Sequence, residues 1–149
     1  MKNRIVDIYE YMPVLRELTE QGKEVSLLIT GNSMVPFLVN ERDRIFFKKP
    51  DRALKKGDLV FYRRLNGQYV MHRICKVTAQ GFDIVGDAQT IIEHGVRPEQ
   101  IFGLITRVER KGALLSDGSF WWEFFRRVWI RLIPLRGVLL RLYGSMKRI

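Results

Sequence analysis

Gly31-Asn32-Ser33-Met34-Val35-Pro36 follows directly on an apolar run, Val25 to Ile29, and ends in a proline. Glycine, asparagine and serine all favour turns, glycine by admitting positive φ and the other two by bonding nearby backbone. The segment reads as a tight turn leaving a strand, with a lone serine in it. A serine hydroxyl is a weak nucleophile until a base takes its proton. Downstream, Tyr69-Val70-Met71-His72-Arg73 sets a histidine inside a strand-like run, and Ile84-Val85-Gly86-Asp87 offers a carboxylate past another. An unperturbed imidazole titrates near pH ~6.5, so His72 suits a base at neutral pH.

The chain around these residues is strand-rich. Val25 to Thr30, Arg44 to Lys48, Leu59 to Arg63, Tyr69 to Val77, Gly81 to Val85 and Gln100 to Val108 are short runs of β-branched and aromatic residues. Pro50-Asp51, Lys56-Gly57-Asp58, Asn66-Gly67 and Gln80-Gly81 punctuate them as turns. Leu65-Asn66-Gly67-Gln68 predicts a hairpin that delivers the strand carrying His72. Upstream, Ile5, Ile8, Tyr9, Met12 and Leu15 recur at helical spacing. Pro13 is expected to kink or split that helix, and Glu20-Gln21-Gly22-Lys23 to end it. Asp7, Glu10 and Arg16 interrupt the apolar core that a secretory signal needs. The fold class expected is mainly β (α+β), with helices at both ends.

In their order, these segments resemble the serine peptidases that include type I signal peptidases and the self-cleaving SOS repressors. Gly-x-Ser-Met-x-Pro looks like the family's nucleophile box, Lys56 to Tyr62 its Gly-Asp strand, and His72-Arg73 its general-base box. Gly86-Asp87 is similar to the last Gly-Asp, and Gly103-Leu104-Ile105 to the closing strand. Most bacterial members carry lysine at the base position, whereas His72 resembles the serine–histidine variant of archaeal and endoplasmic-reticulum signal peptidases. The resemblance covers residues 25 to 108 and implies a signal-peptidase or repressor-type β catalytic core. It also implies Ser33 as nucleophile, His72 as base, and an oxyanion hole from the backbone N–H groups of Asn32 and Ser33. Asp87 is the orienting acid it implies, with Glu93 a competitor close by.

Other candidates read as structural. Asp58 enters a strand from a Gly-Asp turn, His94 sits in a loop, and Cys75 packs as a small hydrophobe in an apolar strand. Two histidines and one cysteine assemble no metal site of usual spacing, and no cofactor is expected.

Phe120, Trp121, Trp122, Phe124, Phe125, Val128, Trp129, Ile130, Leu132 and Ile133 crowd into a tail holding all three tryptophans. Trp121, Phe124, Phe125, Val128 and Leu132 are expected to share a helical face, and Pro134 to begin a second segment. Arg126, Arg127, Arg131, Arg136, Arg141, Lys147 and Arg148 face the single acid Glu123 there, supplying six of the net +10 charges. Charges recur too often for a spanning helix. A basic helix with tryptophan and leucine on its other side suits an anionic membrane interface. Nucleic acid is not an expected partner, because no recognition-helix or RNA-binding motif accompanies the charge. About 30 residues precede the turn, too few for a repressor's DNA-binding domain, and no Ala-Gly or Cys-Gly bond stands ready for self-cleavage.

The 149 residues divide into an N-terminal helical segment (1–24), a β-rich serine peptidase core (25–116) and a basic aromatic helical tail (117–149). The function expected is a signal-peptidase-like endopeptidase cleaving a leader or signal segment, peripheral on the cytoplasmic membrane face. The alternatives are the extracytoplasmic face and, for function, a non-catalytic peptide-binding module of the same fold. A chain ending at Asp117 is expected to keep the chemistry.

Overall fold

Met12, Leu15 and Leu18 lie on one side of α1 (Ile8–Glu20), where Met12 is fully buried and the two leucines pack against the same core. This is one helix containing Pro13, not two. The buried face continues on either side of the proline and offsets the backbone bond that its missing N–H forfeits. The predicted stop is a glycine cap: Lys23 N donates to Leu18 O and Gly22 N to Thr19 O, with Gly22 at φ +83°. The structure, a computed structural model, describes residues 8–148; Ile5 and the charged start of the chain lie outside them.

Among the described residues eight strands form one antiparallel sheet: β1 (Val25–Leu28), β2 (Arg44–Lys48), β3 (Leu59–Arg63), β4 (Tyr69–Val77), β5 (Phe82–Val85), β6 (Glu93–Val96), β7 (Ile101–Arg110) and β8 (Ala113–Leu115). Their spatial order is β1-β2-β7-β3-β4-β5-β6, with β8 paired to β7. Leu59 to Tyr62 in β3 are all buried, because successive side chains serve different cores. Leu59 and Phe61 join a cluster with Met34, Phe37 and Phe47, while Val60 and Tyr62 join Ile74, Ile84 and Leu104. That two-sided burial is why the run does not alternate.

The hairpin between β3 and β4 forms as predicted. Arg64 N donates to Gln68 O at 2.7 Å, and Gly67 takes φ +92°. Two strands escaped the sequence reading. β6 is polar, edge-positioned and irregular in its pairing with β5, and β8 is a three-residue return after Lys111-Gly112. His94 therefore lies in β6, its Nδ1 3.1 Å from Asp83, not in a loop.

The tail consists of α2 (Phe120–Arg127), a tighter 3-10 stretch over Trp129–Leu135, and α3 (Arg136–Arg148). Trp122, Phe125 and Trp129 belong to the cluster beneath the nucleophile turn. The Phe37 ring lies 4.8 Å from Phe125 and 6.4 Å from Trp122, centre to centre. Of the face expected from Trp121, Phe124, Phe125, Val128 and Leu132, Phe125 is buried, Phe124 and Leu132 are half-buried, and Trp121 and Val128 are exposed. The buried Trp122, Phe125 and Trp129 keep helical spacing (i, i+3, i+7), so the docked face is offset from the expected one by about one residue.

Candidate active site

The turn after β1 is anchored from below. Gly31 takes φ +87° and donates its N–H to Asn40 Oδ1 at 2.8 Å, while Met34, Phe37 and Leu38 are buried. Arg110 reaches in from β7, its guanidinium donating to Phe37 O at 2.7 Å and Pro36 O at 3.2 Å. Ser33 stays half-buried at the surface this creates. The N–H groups of Asn32 and Ser33 meet no acceptor among the described residues, so both are free to receive a developing oxyanion.

His72 arrives on β4, opposite Val60 of β3, and is 5% exposed. Burial is the main force pushing its pKa down, to about 4; the Arg64 charge adds to that, and Asp87 and Glu93 oppose it. The ring is therefore neutral at pH 7 and able to accept a proton. Ser33 and His72 line one cleft of about 270 Å³ together with Leu27, Met34, Arg64 and Gln89. No direct hydrogen bond joins the two side chains among the described residues. Catalytic hydrogen bonds are often long in the unliganded state and tighten on substrate.

Gly86 is where the two halves of the site close on each other. A β-carbon there would stand 2.6 Å from Ser33 O, 2.9 Å from Gln89 Oε1 and 3.0 Å from His72 Nε2. Ala88 N also donates to Ser33 O at 2.9 Å. The loop after β5 therefore touches nucleophile turn and imidazole at once, and only glycine permits the approach.

The expectation that Asp87 directly orients His72 needs correction. Its two carboxylate oxygens accept from Arg73 Nε at 2.8 Å and Nη2 at 2.9 Å, and both side chains are buried. Among the described residues His72 makes no hydrogen bond to this carboxylate, which is held by the arginine fork. Glu93 is similarly committed, accepting from Tyr62 Oη at 2.7 Å and from Arg64. Both carboxylates act on His72 through space. Asp58 holds a turn as expected, accepting from Arg52 and from Lys55 N.

Residues 3–105 match the family described as Peptidase S24-like. The chain belongs to that family. Comparison with curated proteins and with solved structures yields no match. Family membership gives the S24-like chain a peptidase-type or repressor-type fold, in keeping with the antiparallel sheet and its flanking helices. The sequence of this S24-like protein does not reveal Arg73 as the partner of Asp87, because Arg73 on β4 meets a loop residue that follows β5. The sequence reading also counted Arg136 among the basic residues of a membrane-facing tail, although Arg136 is fully buried. α-Helical spacing could not have shown this, because a 3-10 stretch with Pro134 separates Trp129 from Arg136.

Proposed function

We propose that this S24-like protein is a serine endopeptidase of the serine–histidine kind, cutting a leader or signal segment from a peptide or protein. What carries the reading is the convergence of Ser33 and a neutral His72 on one cleft, with two unengaged N–H groups in the turn that holds Ser33. Ser33 Oγ attacks the scissile carbonyl, and His72 takes its proton and hands it to the departing amine. Water then clears the acyl-enzyme by the same base. The Asn32 and Ser33 N–H groups receive the oxyanion. Asp87, locked to Arg73, supports the loop beside the ring and raises its proton affinity from a distance. An extended substrate with small side chains near the cut is what the signal-peptidase resemblance implies.

A fluorophosphonate should label the parent chain on Ser33 and leave Ser33→Ala unlabelled. A folded parent that takes no label would leave the cleft as a non-catalytic peptide-binding site.

Membrane contact is part of the proposal. Phe120, Trp121, Val128, Leu135, Val138 and Leu142 remain exposed on the tail, as do Arg127, Arg131 and Arg141. Among the described residues no helix is long and apolar enough to cross a membrane. The outward face of the docked tail suits the headgroup region, where each basic residue near an anionic surface adds roughly 1 kcal/mol. The chain is expected to sediment with anionic vesicles at low salt and much less with neutral ones. High salt should weaken this binding without abolishing it, because the apolar part is unscreened. Indifference to anionic vesicles at low salt would end the membrane reading.

A further inference from the structure

The loop from Gly86 to Gln89 lies beyond the end of β5, and the sheet alone does not fix it. Arg73 grips the Asp87 carboxylate from one side. From the other side the C-terminal segment takes hold of the loop's backbone. Trp129 Nε1 donates to Asp87 O at 2.8 Å, and Arg136 Nη1 donates at 2.9 Å to both Gly86 O and Gln89 O. Arg136 Nη2 reaches Trp129 O at 3.3 Å, and its guanidinium lies 5.4 Å from the Trp129 ring centre.

Arg136 is 0% exposed, and its Nε finds no acceptor. Burying a guanidinium that bonds carbonyls and no carboxylate is unfavourable. An apolar side chain would fill the space without that cost, so the value of arginine here lies in the carbonyls it gathers. Those carbonyls belong to the loop whose Ala88 N bonds Ser33 O and whose Gly86 abuts His72 Nε2.

We propose that Arg136 and Trp129 are positioning residues for the Ser33–His72 pair: docking of the C-terminal segment fixes the Gly86–Gln89 loop and thereby sets the reactivity of Ser33. The inference rests on the catalytic reading of that pair. A displaced loop shifts nucleophile turn and imidazole relative to each other, and small misplacements of this kind are costly in rate.

Three full-length variants test it. Trp129→Phe keeps an aromatic ring and leaves Arg136 in place but removes the donor. Arg136→Lys keeps the charge on one compact ammonium without the planar fork, and Arg136→Met keeps only the bulk. Each is compared with the parent for thermal melting, for the rate of fluorophosphonate labelling, and for the titration of the His72 ring by NMR. Arg64, Asp87 and Glu93, the charged groups that act on that ring, are unchanged throughout.

Trp129→Phe and Arg136→Met should label about tenfold to a hundredfold more slowly. In both, the ring should titrate at least about one unit higher, toward the ordinary ~6.5, as the loosened loop admits water. Arg136→Lys should fall between them and the parent. Variants that melt cooperatively, label at the parent rate and titrate like the parent would reduce the clamp to a structural cap and overturn the proposal. If the parent itself takes no label, the catalytic reading fails separately, and the His72 titration decides the positioning role alone. If Arg136→Met does not fold, Trp129→Phe decides.

Discussion

His72→Ala is expected to slow cleavage of a leader-like peptide by about 10²–10⁴-fold, the usual worth of a general base. The pH dependence carries more information than the loss itself. For the parent, kcat/KM should rise with pH through the ionisation of His72 at about 4 and then stay level across neutrality. From the sequence, an ordinary histidine predicts a midpoint of 6 to 7. Burial between β3 and the Gly86 loop moves it down, helped by the Arg64 guanidinium. A profile still climbing above pH ~8 would point to a lysine base and sink the assignment. Lys76, the nearest lysine in sequence, is exposed at the far end of β4.

The same shift links protonation to folding. Between about pH 4 and pH ~6.5 the unfolded chain binds a proton at His72 that the folded chain does not. This contribution to stability is complete above ~6.5 and is lost as the pH falls toward 4. Thermal midpoints should fall over that window in the parent and fall less in His72→Ala. An equal fall in both would show that the imidazole is not held neutral by the fold.

What could be read from the chain divides along the range of the interactions involved. Ser33 and His72 were legible because each announces itself locally, one as a turn residue after an apolar run, the other inside a strand delivered by an Asn-Gly hairpin. The six apolar strands were legible for the same reason, as alternation and turn residues are local signals. β6 was not, because Glu93-His94-Gly95-Val96 owes its extended form to pairing with β5 rather than to its own composition. The role of Asp87 was misread for a comparable reason. A carboxylate near a histidine in sequence order suggests a triad, but the side chain that reaches it, Arg73, comes from the neighbouring strand in a buried bidentate pair. Arg136 is the extreme case. Its partners are carbonyl oxygens of Gly86 and Gln89, which no side-chain pattern can reveal.

A chain ending at Asp117 is expected to lose its cooperative fold, contrary to the reading in which every chemical segment lies before residue 110. The truncation removes Trp122, Phe125, Trp129 and Ile130, all buried. At about 1.5–3 kcal/mol for each large apolar side chain, the loss is comparable with the whole net stability of a domain, about 5–15 kcal/mol. It also uncovers Phe37 beneath the nucleophile turn and strips Gly86, Asp87 and Gln89 of their donors. Thermal melting without a sharp transition, together with binding of a hydrophobic dye, is the expected result. A truncated chain that melts near the parent temperature and still reacts at Ser33 would show the tail to be dispensable. The consequence for membrane contact is specific. The buried side of the tail is committed to the core, so lipid can meet only its outward face, with α2 and α3 still docked. A membrane that pulled the segment away from the core would release the Gly86–Gln89 loop and with it the geometry of Ser33 and His72.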